Sequence, residues 1–147
     1  MDYKLLCAQL KALTEDVENE ISNLSNASAL LWQELADINW AGFYKMEGGI
    51  LVLYPFQGKP ACTKISVGKG VCGTAVAENK LQLVPDVHQF PGHIACDCAS
   101  NSEIVVPIHV NGEIWGVLDI DSPNLNRFTE EDRTGLTEFV KILETVL

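Results

Sequence analysis

Residues Glu103–Asp121 read EIVVPIHVNGEIWGVLDID. Two runs rich in valine and isoleucine flank Asn111-Gly112. That dipeptide is a strong hairpin signal, because a two-residue type I′ turn needs positive φ at both central positions. Glu103–Val110 and Glu113–Asp121 are therefore expected to pair as antiparallel strands. A second pair lies upstream, Ile38–Lys45 (INWAGFYK) and Ile50–Phe56 (ILVLYPF), around the turn signal Glu47-Gly48-Gly49. Two hairpins, rather than βαβ units, predict a largely antiparallel sheet with helices laid against it, an α+β fold.

The rest of the chain supplies those helices and the edges of the sheet. Leu5, Leu6, Leu10 and Leu13 fall at helical spacing over Tyr3–Leu13. Val17, Ile21, Leu24, Ala27, Leu30, Leu31 and Leu35 continue it over Glu15–Asp37, with Thr14 as N-cap. Cys62–Val67 is read as extended and Gly70–Asn79 as a short helix. Leu81–Val84 is a short strand that stops at Pro85. The last helix is capped by Thr129, has Glu130, Glu131 and Asp132 in its first turn, and buries Leu136, Phe139, Val140 and Leu143. The count is five to six strands. The segment Asp86–Ser102 has no periodicity and holds Pro91, Gly92, His93, Cys96 and Cys98. A loop of that length in a compact domain is expected to be functional.

Composition narrows the function classes. With 20 acidic against 10 basic residues the net charge is −10. That field repels phosphate backbones, so nucleic acid is not an expected partner. No apolar run approaches the ~20 residues of a membrane helix, and the first residues lack the pattern of a signal peptide. A cytoplasmic protein of one domain, residues 1–147, is the expectation. Glu15, Asp16, Glu18 and Glu20 are read as a solvated helix face. The five cysteines are then not a permanent disulfide framework. Cys7, beside Leu6 and Leu10, fits an inert position.

Three groups of residues carry possible chemistry. GKGVCG (Gly68–Gly73) lacks the spacing of a phosphate loop and reads as a glycine turn opening a helix. Cys72 would then sit in a first turn, where the helix dipole favours the thiolate. His93, Cys96 and Cys98, with Cys72, suggest zinc, but a closed structural site wants two close ligand pairs, so no metal is expected. Asp119 and Asp121 share a strand face at i, i+2. They fit a grip on an ammonium group, or a proton donor whose pKa its neighbour raises, and Glu103 can join them. The alternative is that the strand has ended and both are solvated. Trp40 is core by default, or a ring that closes over a cationic or methyl-bearing ligand.

GKGVCGTA, LVPDVHQFPGHIACD, SEIVVPI, WGVLDIDSP and FTEEDRTGLTEF together resemble the free methionine-(R)-sulfoxide reductases, which are single GAF-domain enzymes. The resemblance implies a GAF-like fold. N-terminal helices (about 2–36) and a C-terminal helix (about 129–147) would pack on one face of a sheet-and-pocket region (about 38–121), with ligand-pocket loops on the other. It implies Cys96 as the nucleophile and Cys72 and Cys62 as resolving positions. Trp40, Tyr44, Glu103, Asp119 and Asp121 would lie at the substrate pocket. It further implies free methionine sulfoxide as substrate, no bound cofactor, and thioredoxin or another dithiol as reductant; a homodimer paired through helices is open to such a domain. Cys98 and Cys7 fall outside the cysteine set. Three other readings compete: a non-catalytic GAF sensor, a thiol redox switch acting on a partner, and a zinc-bound module.

Overall fold

The computed structural model describes residues 1–92 and 100–147. Two helices open the chain, α1 (Tyr3–Thr14) and α2 (Glu20–Glu34). The hairpin β1 (Trp40–Glu47) and β2 (Ile50–Gly58) follows, then β3 (Lys64–Ser66), α3 (Gly70–Glu78) and β4 (Gln82–Val84). A short 3₁₀ turn covers Val87–Gln89, and the chain closes with β5 (Ser102–Val110), β6 (Glu113–Ser122) and α4 (Glu130–Glu144). The strands form one six-stranded sheet in the order β3-β2-β1-β6-β5-β4. Every pairing in it is antiparallel. The α+β expectation holds, and Asn111 (φ 55°) and Gly112 (φ 79°) make the turn their types suggest.

Strand alternation divides the core in two. Ala41 and Phe43 of β1, Ile104, Val106 and Ile108 of β5, and Leu118 and Ile120 of β6 face α1, α2 and α4. The alternate residues Trp40, Tyr44, Val105 and Val117 face α3 and the loops, joined by Leu51, Ile65, Val71, Cys72 and Ala75. Three helices thus cover one face, and the other is left for a site.

The first helices depart from the expected boundaries. Thr14 is not an N-cap: it ends α1, and its hydroxyl donates to Leu10 O at 2.9 Å. The chain then turns through Asp16 (φ 58°). Asn19 caps α2 instead, accepting from Ser22 N at 3.0 Å. Asparagine and threonine are both capping types, so sequence alone does not choose between them. Of the apolar residues at helical spacing, Leu5, Leu13, Val17 and Ile21 are exposed rather than buried. Glu20 is not merely solvated: Lys45 Nζ lies 3.1 Å from its Oε2, and Trp115 Nε1 donates to its Oε1 at 2.8 Å. The β2 strand also runs on past the expected Ile50–Phe56, through Gln57 and Gly58. Thr129 and Asp132 form the expected N-terminal cap of α4 as a reciprocal capping box.

One glycine lets the central strands close. A Cβ on Gly116 of β6 would lie 2.1 Å from Tyr44 O and 2.9 Å from Lys45 Cα, both backbone atoms of β1. Gly116→Ala should therefore cost about 1–3 kcal/mol through overpacking. Thermal unfolding checks this, with a drop of about 2–9 °C expected for a chain of this size.

Candidate functional site

The pocket face of the sheet carries more acid than a sheet interior tolerates without purpose. Register places Asp119 of β6 opposite Gly42 of β1 and Val105 of β5, and Asp121 opposite Trp40 and Glu103. Strand β6 runs on to Ser122, so the two aspartates are strand residues rather than solvated ends. Glu103 is 8 % exposed and Asp119 6 %. Gly42 lies between Trp40 and Tyr44, and a Cβ there would meet Phe56 Cβ at 2.2 Å, so Phe56 takes the space beside it.

Together with β1, α3 and the neighbouring loops, these acids line a cavity of about 60 Å³. Trp40 and Tyr44 wall one side, their rings stacked at 5.8 Å between centroids. Trp40 also stacks on Phe56 at 5.1 Å, and its Nε1 donates to Lys59 O at 3.1 Å. Those contacts fix the indole plane. Tyr44 OH donates to Cys62 O at 3.0 Å, which ties the loop after β2 to the site. From α3 come Gly70, Val71 and Cys72; Lys69 stands at the rim and Ser100 at the far end. Gly68 (φ 87°) and Gly70 (φ 62°) make the predicted glycine turn that opens α3.

The electrostatics follow from burial. Glu103 is held well above the usual carboxylate range, first by desolvation and then by the charges of Asp119 and Asp121. Burial also raises Asp119, while hydrogen bonds from Glu103, Cys72 and Asp121 pull it back. These carboxyls hold protons at a pH where surface acids have lost them. Tyr44 is raised by burial and by Asp119. Cys72 corrects the expectation of a thiol activated by a helix dipole. It does lie in the first turn of α3, but burial and then the charges of Asp119, Glu103 and Asp121 push it well above its ordinary value. Desolvation beside three acids outweighs half a unit of dipole charge.

The structure therefore brings Trp40, Tyr44, Cys72, Glu103, Asp119 and Asp121 to one cavity. Cys62, beside it, is disulfide-bonded, while Cys72 is a free thiol. Cys7 lies on the helix face, half-buried and free, away from this site. His93, Cys96 and Cys98 lie outside the described residues. Sequence reading missed Lys69 and Ser100, whose positions depend on the loops, and the donor set Cys72–Glu103–Asp119. Each of the three has a ligand atom within 4.8 Å of the other two. Among the described residues, no helix is long and apolar enough to cross a membrane.

Comparison with known proteins gives this geometry a context. Residues 9–147 match the GAF domain model. The chain is 57 % identical over 145 residues to the free methionine-R-sulfoxide reductase of Escherichia coli, covering 99 % of this chain and 88 % of the relative. The reduced form of fRMsr from Staphylococcus aureus superposes with a TM-score of 0.97 at 55 % identity, over 99 % of this chain and 95 % of that one. The free methionine-R-sulfoxide reductase of Neisseria meningitidis, solved in complex with its substrate, superposes with a TM-score of 0.95 at 42 % identity, over 98 % and 87 %. A sheet with helices on one face, an acid-lined cavity on the other and matches of this extent assign the chain to the GAF-domain free methionine-R-sulfoxide reductase family.

Proposed function

We propose that this protein reduces free methionine-(R)-sulfoxide to methionine, with Cys96 as nucleophile and the cavity on the sheet's open face as the substrate pocket. One observation carries the reading: Glu103, Asp119 and Asp121 converge on a small cavity walled by the stacked rings of Trp40 and Tyr44. Acids at one end suit an α-ammonium. Aromatic faces suit a methyl group on a polarised sulfur. The substrate-bound relative from Neisseria meningitidis supports the same assignment.

The chemistry balances in three steps. The Cys96 thiol attacks the sulfoxide sulfur while a buried carboxylic acid, Glu103 or Asp119, protonates the sulfoxide oxygen. The oxygen passes to Cys96 as a sulfenic acid and methionine leaves. A second thiol attacks that sulfenic sulfur, forming a disulfide and releasing water. Thioredoxin or another dithiol then reduces the disulfide by exchange, regenerating both thiols. Cys62 suits the resolving role, because it stands beside the cavity and is already disulfide-bonded. Cys72, free and held protonated among acids, is the second resolving candidate. A reducing compartment such as the cytoplasm would keep this cycle supplied.

Recognition by charge predicts substrate size. N-acetylation removes the ammonium and leaves buried acids facing a neutral amide. Loss of one partner from a buried charged pair costs about 2–5 kcal/mol. Turnover of N-acetylmethionine sulfoxide should therefore fall at least about 30-fold in kcat/KM against the free amino acid, with dithiothreitol as reductant. Equal rates would remove the acids from substrate recognition, and no methionine from either substrate would leave a ligand-binding domain without this activity.

A further inference from the structure

Cys72, Glu103 and Asp119 come from α3, β5 and β6, three separate elements, yet all three are buried and their ligand atoms lie within 4.8 Å of one another. Asp119 adds a second observation. Its Oδ1 is enclosed and has no hydrogen-bond partner among the described residues, although the residue is only 6 % exposed and lines the cavity. An enclosed acceptor without a donor is costly, and a cation satisfies it.

We propose that, in the reduced protein, Cys72, Glu103 and Asp119 bind a divalent metal ion of the zinc class, in the same space as the substrate. Zinc takes thiolate sulfur at about 2.3 Å and carboxylate oxygen at about 2.0–2.2 Å, so tetrahedral donors stand about 3.5 Å apart. The three side chains need to close by about an ångström, within reach of rotamer adjustment around a cavity. The thiolate selects zinc, cadmium or cobalt over magnesium and calcium, which prefer all-oxygen shells. The adjoining cavity leaves the fourth position to water, as in sites with three protein ligands. Once ionised, thiolate and carboxylates carry three negative charges against two positive, and the basic residue among those lining the cavity, Lys69, is exposed at its rim. This donor set shares Cys72 with the zinc grouping that the sequence suggests, but takes Glu103 and Asp119 as its other ligands in place of His93, Cys96 and Cys98.

Occupancy has a chemical consequence. The ion would take up the carboxyls that hold the ammonium and donate the proton, and the substrate and the ion would exclude each other. Zinc would then switch the reductase off without oxidising any cysteine, and reversibly.

Cobalt(II) is the probe, because a thiolate ligand gives it a near-ultraviolet charge-transfer band. Titrating the phosphine-reduced protein under argon should give that band with one cobalt per chain, together with the visible absorption of a four-coordinate ion. The band should vanish in Cys72→Ser, persist in Cys7→Ser and Cys62→Ser, and require at least about tenfold more cobalt in Asp119→Asn and Glu103→Gln. The two carboxyl variants keep the test decisive if Cys72→Ser does not fold. A band that survives in Cys72→Ser, or a wild-type protein that shows none at millimolar cobalt, overturns the site. The readout is spectroscopic, so it stands or falls separately from the reductase assay; displacement of cobalt by free methionine sulfoxide tests whether the spaces coincide.

Discussion

Glu103→Gln should lower kcat/KM by about 10²–10⁴-fold, the range expected when a positioned proton donor is lost, and at the same time make the protein more stable above neutral pH. The two effects share a cause. Glu103 is buried beside Asp119 and Asp121, and both burial and their charges favour its protonated form. A protonated carboxyl can give its hydrogen to the departing oxygen; an amide of the same shape donates a hydrogen bond but transfers no proton. The sign of the stability effect follows from linkage. Because the carboxyl is raised in the folded state, the folded chain binds more protons than the unfolded one between the ordinary carboxyl range and the raised value. Stability falls as pH rises through that window, and below the ordinary range the difference is fully present in favour of the fold. The amide does not ionise and avoids the loss. Removing a buried ionised group is worth on the order of 1 kcal/mol or more, which appears as a rise of about 2–4 °C in Tm at pH 8. At pH 4 the two melting curves should nearly coincide. A variant that loses activity and is also less stable at pH 8 would mean that Glu103 is a structural ion partner rather than a strained acid.

That strain was only half visible in the sequence. Asn111-Gly112 and the two valine-rich runs determine the central hairpin, because turn chemistry and alternation are local properties. The same alternation placed Asp119 and Asp121 on one face. What it could not supply was depth. Asp121 and Glu103 are cross-strand partners, a register that depends on how β5 and β6 align over their full length. Cys72 shows the limit most clearly. Its place in a first helical turn was legible, but its pKa direction was not, since three acids from two other elements outweigh the dipole. The Thr14–Asn19 boundary failed for a different reason. Several capping residues compete within six positions, and residue type alone does not rank them. The segment that holds Cys96 and Cys98 was marked as functional by its lack of periodicity, and the family resemblance, not geometry, gave Cys96 its role.

Substituting Cys96 by serine should therefore abolish methionine formation, a loss of at least about 10⁴-fold, the scale on which removal of a covalent nucleophile reads. A hydroxyl at ordinary pKa does not attack a sulfoxide sulfur, and among the described residues the thiol that lines the pocket, Cys72, does not replace it, because it is held neutral by burial and by Asp119, Glu103 and Asp121. The resolving positions should behave differently. Losing Cys62 leaves the first step intact, so one methionine per active site should still appear in a rapid burst, followed by slow turnover as the external dithiol attacks the sulfenic acid directly. Cys72→Ser should keep both the burst and most of the steady rate if Cys62 resolves first, and should lose the steady rate if Cys72 does. Quenched-flow measurement of methionine per enzyme, with the sulfenic acid trapped by dimedone and located by mass spectrometry, separates these cases. A dimedone adduct on Cys72 in the Cys62→Ser protein, with none on Cys96, would reverse the assignment of nucleophile. It would also require the cluster of acids to activate the thiol it stands beside, against the direction in which burial and charge both push.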